Sequence, residues 1–180
     1  AEVSAMRGTS PEDTIIDLVI EDDSRVETVY FLMSEENIER NIAWPWTMFG
    51  SDEGAYSPQG VFLESNPHPR AYGNFARVFA KYVRERNVIS VEEAVRRLTS
   101  LTADELRIKD RGRLKVGAYA DIVVFDPATI QDHATFAEPH QLATGVRDVY
   151  VNGVAVLRDE KHSGATPGQV VRGPGWTSGE

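Results

Sequence analysis

Apolar positions along the chain change their spacing three times, and each change marks a different kind of element. Ser10-Pro11-Glu12-Asp13 sets a capping serine, a proline at the first helical position and acids in the first turn, predicting a helix over Pro11 to Asp22 with Ile15, Ile16, Val19 and Ile20 on one face. Val26 to Met33 ends in the apolar run Val29-Tyr30-Phe31-Leu32-Met33, the pattern of a strand covered on both faces. Ser34-Glu35-Glu36 opens a second helix through Ile42, and Trp46 to Phe49 reads as a short strand. The alternation helix, strand, helix, strand favours a parallel α/β sheet or barrel, with functional residues on the loops after the strands.

A Gly-, Pro-, Ser- and Asn-rich stretch then runs from Gly50 to Gly73, a length at which loops are usually functional or disordered. From Asn74, the spacing of Phe75, Val78, Phe79, Tyr82 and Val83 predicts an amphipathic helix with Arg77, Lys81 and Arg84 outward. Ser90-x-x-Glu93 is a capping box for a helix carrying Val91, Ala94, Val95 and Leu98 inward, and Thr102-x-x-Glu105 repeats the signature. Beyond Asp110 the texture is that of strands and turns. Ala120 to Asp126 is a strand closed by Pro127, and Val149 to Val156 alternates about Asn152-Gly153, a strong hairpin signal, so a small sheet is expected in the C-terminal third. The tail beyond Gly164 is expected to fray.

Composition narrows the chemistry. The 180 residues, 41% apolar and 26% charged, have ordinary globular proportions. Nineteen basic against 28 acidic residues leave a net charge of −9, a poor surface for nucleic acid. No run approaches the roughly 18 apolar residues of a membrane span, and the first residues lack the order of a signal peptide, so the expectation is a cytoplasmic protein without a membrane partner. The chain opens at Ala1 rather than Met, as a processed piece or a segment of a longer protein would. It has no Cys, and its four histidines, His68, His133, His140 and His162, include no pair at a metal-binding spacing.

Several stretches together resemble one family. They are Gly50-Ser51-Asp52, Asn66-Pro67-His68-Pro69-Arg70 followed by Gly73 to Val78, and Arg111-Gly112-Arg113-Leu114-Lys115-Val116-Gly117 leading into Ala120-Asp121-Ile122-Val123. Asp132-His133-Ala134-Thr135-Phe136 and Val151-Asn152-Gly153 complete the set. From about Thr9 to Gly173 the chain resembles the C-terminal part of the D-aminoacylases, N-acyl-D-amino-acid deacylases of the amidohydrolase superfamily. The resemblance implies an α/β fold: the last strands and helices of a zinc-dependent (β/α)8 barrel over residues 1–109, strands of a small β-sandwich over 110–173, and a flexible tail over 174–180. It makes Val26 to Met33 and Trp46 to Phe49 the last two barrel strands. It implies that Asp52 approaches the metal and carries a proton from the activated water to the leaving amine, and that Arg70 grips the free carboxylate of a small-molecule N-acyl-D-amino acid.

Read without the family, Asp52 is equally an Asx-turn residue between glycines and Arg70 a loop brace, while Trp44 and Trp46 suit either a pocket or a core. Glu53 stands where the family usually has Gly. The other metal ligands of the family precede this segment, so the chain alone is expected to bind no zinc, to lack activity, and to self-associate through exposed strand edges. Two other readings stay open: a non-catalytic α+β packing module, and a cyclic amidase of the dihydroorotase or hydantoinase type.

Overall fold

A computed structural model describes residues 1–23, 26, 28 and 30–176. They fall into two units, residues 1–33 and residues from 34 onward.

In the first unit, α1 (Glu2–Arg7) ends at Gly8, which takes the left-handed conformation at φ 67°. Helix α2 (Pro11–Asp22) starts where its cap requires, with the Ser10 hydroxyl accepting from the Asp13 amide at 3.1 Å. Arg7 clasps the Glu21 carboxylate with two bonds of 2.8 Å, joining the two helices. The apolar face of α2 is exposed at all four positions, and the buried residues described in this unit are Ser4 and Thr14. The strand expected over Val26 to Met33 is corrected: Val26, Thr28 and Tyr30 to Met33 have no regular structure, and residues 24, 25, 27 and 29 lie outside the described set. A parallel strand makes no ladder of its own, and no neighbour strand exists among the described residues of this unit.

The second unit opens with α3 (Glu35–Ala43), capped by the Ser34 hydroxyl. The strand expected at Trp46 to Phe49 is replaced by a turn: the Thr47 amide donates to the Trp44 carbonyl at 3.1 Å and its hydroxyl to the Asn41 carbonyl at 2.7 Å. Trp44 and Trp46 stack at 4.8 Å and both are exposed, so neither is part of the core. After a single 3₁₀ turn at Gly60–Glu64, α4 (Arg70–Arg77) begins four residues earlier than the apolar spacing suggests and continues through Val78–Glu85 with wider π-type turns. Helix α5 (Val91–Leu98) carries the Ser90 cap, and α6 (Ser100–Glu105) follows directly. Thr102 lies inside α6 instead of capping it, its hydroxyl donating to the Arg97 carbonyl at 2.7 Å.

The sheet is antiparallel throughout, in the order β1 (Ile122–Phe125), β2 (Val146–Val151), β3 (Val154–Arg158), β4 (Lys161–His162). Asn152 and Gly153, at φ 51° and 80°, make the expected two-residue turn between β2 and β3. A second such turn at Asp159 and Glu160, at φ 48° and 64°, adds β4. The core gathers Ala76, Val78, Phe79, Val83, Ala94 and Ile130, with Phe49, Leu98, Phe125 and Val146 packed against it. Helices with an antiparallel sheet are the part of the α/β expectation that the described residues carry; a parallel sheet is not among them.

Gly145 marks the tightest joint. At φ 84°, an added Cβ would lie 2.4 Å from the Ile130 Cα and 2.6 Å from its nitrogen, in the backbone of a core residue. Gly145→Ala should therefore cost about 2 kcal/mol or more and lower the melting temperature by roughly 4–8 °C. Gly153→Ala has a similar φ of 80° but its nearest contact is Ala120 Cβ at 4.0 Å, so it should lose clearly less in the same thermal melt.

Candidate functional site

The site forms where the loop at Gly50-Ser51-Asp52-Glu53-Gly54 faces the first turn of α4. Asp52 sits in the left-handed region at φ 50°, a conformation Asp tolerates better than most residues, and its side chain is 89% exposed. Glu53 is only 15% exposed. Asn74 on α4 anchors the loop by donating to the Gly50 carbonyl at 3.3 Å.

Arg70 meets both acids. Its Nη2 lies 3.0 Å from Asp52 Oδ2, and its Nε donates to Glu53 Oε2 at 3.3 Å. The two residues singled out in the sequence, 18 positions apart, are thus brought into direct contact. Glu53, seen there only as a departure, turns out to be the second partner. Its other oxygen accepts from the Tyr56 hydroxyl at 3.3 Å, so the guanidinium is held from the side by a carboxylate that is itself braced. A guanidinium carries five N–H donors, and the Nη1 end of Arg70 has no hydrogen-bond partner among the described residues.

The local chain explains why Arg70 sits here. Pro69 presets the entry into α4, and the Arg70 amide, free in a first turn, donates to His68 Nδ1 at 3.1 Å. That bond makes Nδ1 the acceptor. Burial, and then the Arg70 charge, hold the His68 imidazole below its ordinary value of 6.5, against an opposing pull from Glu53. His68 is therefore a helix cap rather than a ligand.

The segment Asp132 to Phe136 forms the wall behind this turn. Asp132 pairs with Arg77 at 2.9 Å, and its Cβ lies where a side chain at position 73 would be, 2.9 Å from a Cβ added to Gly73. Phe136 meets the His68 ring edge-on at 5.0 Å. Arg111 ties the small sheet together by bonding Asp121 and Asn152, while Asp121 also accepts from the Asn152 amide at 2.8 Å. His133 bonds Thr144, His140 meets the Phe62 carbonyl, and His162 accepts from the Gly164 amide, so each has a local structural contact.

As a metal centre the site is incomplete. No group of three or more His, Cys, Asp or Glu residues able to hold a metal ion occurs among the described residues. Asp52 would contribute a single carboxylate. No helix among the described residues is long and apolar enough to cross a membrane.

Comparison with known proteins identifies the family of the chain. The model of the amidohydrolase family matches residues 24–157. A D-aminoacylase of Alcaligenes xylosoxydans xylosoxydans is 39% identical over 170 residues, covering 94% of this chain and 33% of that protein. An N-acyl-D-glutamate deacylase of the same organism is 40% identical over 144 residues, covering 80% of this chain and 28% of its own length. Among solved structures, the N-acyl-D-glutamate deacylase of Bordetella bronchiseptica, complexed with zinc and a phosphonate mimic of the tetrahedral intermediate, superposes with a TM-score of 0.80 at 35% identity, covering 95% of this chain and 33% of that one. The chain spans about a third of the length of the curated relatives it matches.

Proposed function

The chain belongs to the amidohydrolase family, and from that premise we propose that it is the part of an N-acyl-D-amino-acid deacylase that supplies the substrate's carboxylate anchor and the proton carrier of amide hydrolysis. The reaction splits a linear amide into a D-amino acid and a carboxylic acid. Residues 1–109 belong in this reading to the end of a (β/α)8 barrel, and 110–173 to the small β domain beside it. The contact between Asp52 and Arg70 is the observation that carries the reading.

Arg70 anchors the substrate through its open Nη1 and through the Nη2 that Asp52 gives up, a fork suited to two parallel bonds with the α-carboxylate. Glu53 keeps hold of Nε meanwhile, so the guanidinium does not swing. Asp52, strongly exposed, is free to exchange Arg70 for the reacting amide, to take a proton from the attacking water and to hand that proton to the amide nitrogen as the C–N bond breaks. Zinc, when bound in the complete enzyme, polarises the carbonyl and acidifies water. A single carboxylate from this chain does not form the metal's ligand set, so the roles assigned here are those of Asp52 and Arg70 alone.

In the complete enzyme, Arg70→Lys replaces a two-bond fork by one ammonium and should raise KM for an N-acetyl-D-amino acid by roughly 10- to 100-fold, the equivalent of about 1–3 kcal/mol, with a smaller change in kcat. Esterifying the substrate's carboxylate should reproduce most of that loss on the parent enzyme. An unchanged KM would remove Arg70 from the anchor role.

A further inference from the structure

The anchoring guanidinium carries two carboxylates on one side, and their charge reaches the substrate. With Asp52 and Glu53 both on Arg70, the three groups sum to one negative charge before any ligand arrives. Of the other titratable groups around it, the Tyr56 hydroxyl donates to Glu53, His68 accepts from the Arg70 amide at Nδ1, and Arg77 is committed to Asp132. Asp52 is exposed and can leave. Glu53 is held from both ends, by Arg70 and by the Tyr56 hydroxyl, and Gly54 lets the Tyr56 ring lie against the loop, since a Cβ there would come 3.2 Å from ring atoms. Its charge is a fixed part of the anchor.

We infer that Glu53 is a specificity-determining residue: it disfavours N-acyl-D-amino acids whose side chain bears a carboxylate and leaves neutral side chains unaffected. The inference rests on the deacylase reading. A substrate gripped by its α-carboxylate at Arg70 places its own side chain only a few bonds from the same guanidinium, within range of Glu53. Two like charges about 7 Å apart, in a medium between protein surface and water, change a rate or binding ratio by about 5- to 50-fold. The discrimination is electrostatic, so it should shrink as ionic strength rises.

The test compares N-acetyl-D-glutamine with N-acetyl-D-glutamate, which share a shape and differ in charge, on the complete enzyme and on its Glu53→Gln and Glu53→Gly variants. In Glu53→Gln the kcat/KM ratio of glutamine to glutamate substrate should fall by about 5- to 50-fold. Most of the change should come from faster glutamate turnover, and added salt should lower the parent's ratio towards the variant's. Glu53→Gly should lower the ratio likewise even if a looser Arg70 slows both substrates. A ratio that stays within twofold of the parent in both variants, or equal losses on both substrates, would make Glu53 a brace only and overturn the inference while leaving the deacylase reading intact. A parent enzyme that turns over neither substrate would overturn that reading and this inference with it.

Discussion

Glu93→Leu should lower the melting temperature of the chain by roughly 6–20 °C, corresponding to about 3–5 kcal/mol. Arg97 is the reason. Its side chain is 2% exposed, inside a helix whose neighbours form the core, and its charge is balanced by Glu93 Oε1 at 2.7 Å while its Nη1 donates to the Ile42 carbonyl at 2.5 Å. Taking an ion out of water costs several kcal/mol, and only a well-placed counter-charge offsets it. Glu93→Leu leaves Arg97 buried with no carboxylate. The reverse change is milder. In Arg97→Met, Glu93 keeps Arg96, which holds it with bonds of 2.7 and 2.8 Å, and the loss reduces to an orphaned Ile42 carbonyl, about 1–3 kcal/mol. Thermal melts of the two variants side by side decide it: Glu93→Leu should melt below Arg97→Met, and the opposite order would mean that the pair is not what stabilises this joint.

The same pair sets an acid limit. Hydrogen bonds from Arg96 and then Arg97 hold the Glu93 carboxyl at about 2, well under its ordinary 4.5, against a smaller opposing effect of burial. A group whose value falls on folding contributes stability that is whole above its unfolded value and disappears as pH drops through the folded one. Stability should thus decline between about pH 4.5 and 2, and that part of the decline should be missing in Glu93→Leu.

What could be read from the chain divides along physical lines. Caps at Ser10, Ser34 and Ser90 were legible because a cap is satisfied within three residues, and the Asn152-Gly153 turn because its residues fit the required φ unaided. The turn at Asp159-Glu160 was not, since no glycine announces it; Asp148, buried in β2, accepts from the Asp159 amide at 3.0 Å and holds it. Strands at 26–33 and 46–49 depended on neighbours rather than on their own residues, and apolarity alone could not form them. The burial of Arg97, paired with Glu93 one turn earlier, was not legible, since a charge in a helix does not announce that it lies inward. The family resemblance singled out Asp52 and Arg70 one at a time, but their contact and the second grip by Glu53 are matters of loop path that spacing does not encode.

Asp52 carries the largest expected effect. An amide nitrogen leaves poorly until it is protonated, and a metal that polarises the carbonyl delivers no proton to it. A side chain must do so, and Asp52 is the exposed carboxylate that this chain brings to the anchor. Asn at this position keeps the size, tolerates the φ of 50°, and leaves Arg70 in the hold of Glu53, but it cannot carry the proton. General acid–base groups contribute roughly 10²- to 10⁴-fold. The decisive measurement is kcat for an N-acetyl-D-amino acid, taken with metal content on the same preparation of the complete Asp52→Asn enzyme. The account predicts a fall of about 10² or more in kcat, with metal content retained and KM changed little. Retention of more than about a tenth of the parental kcat would contradict it.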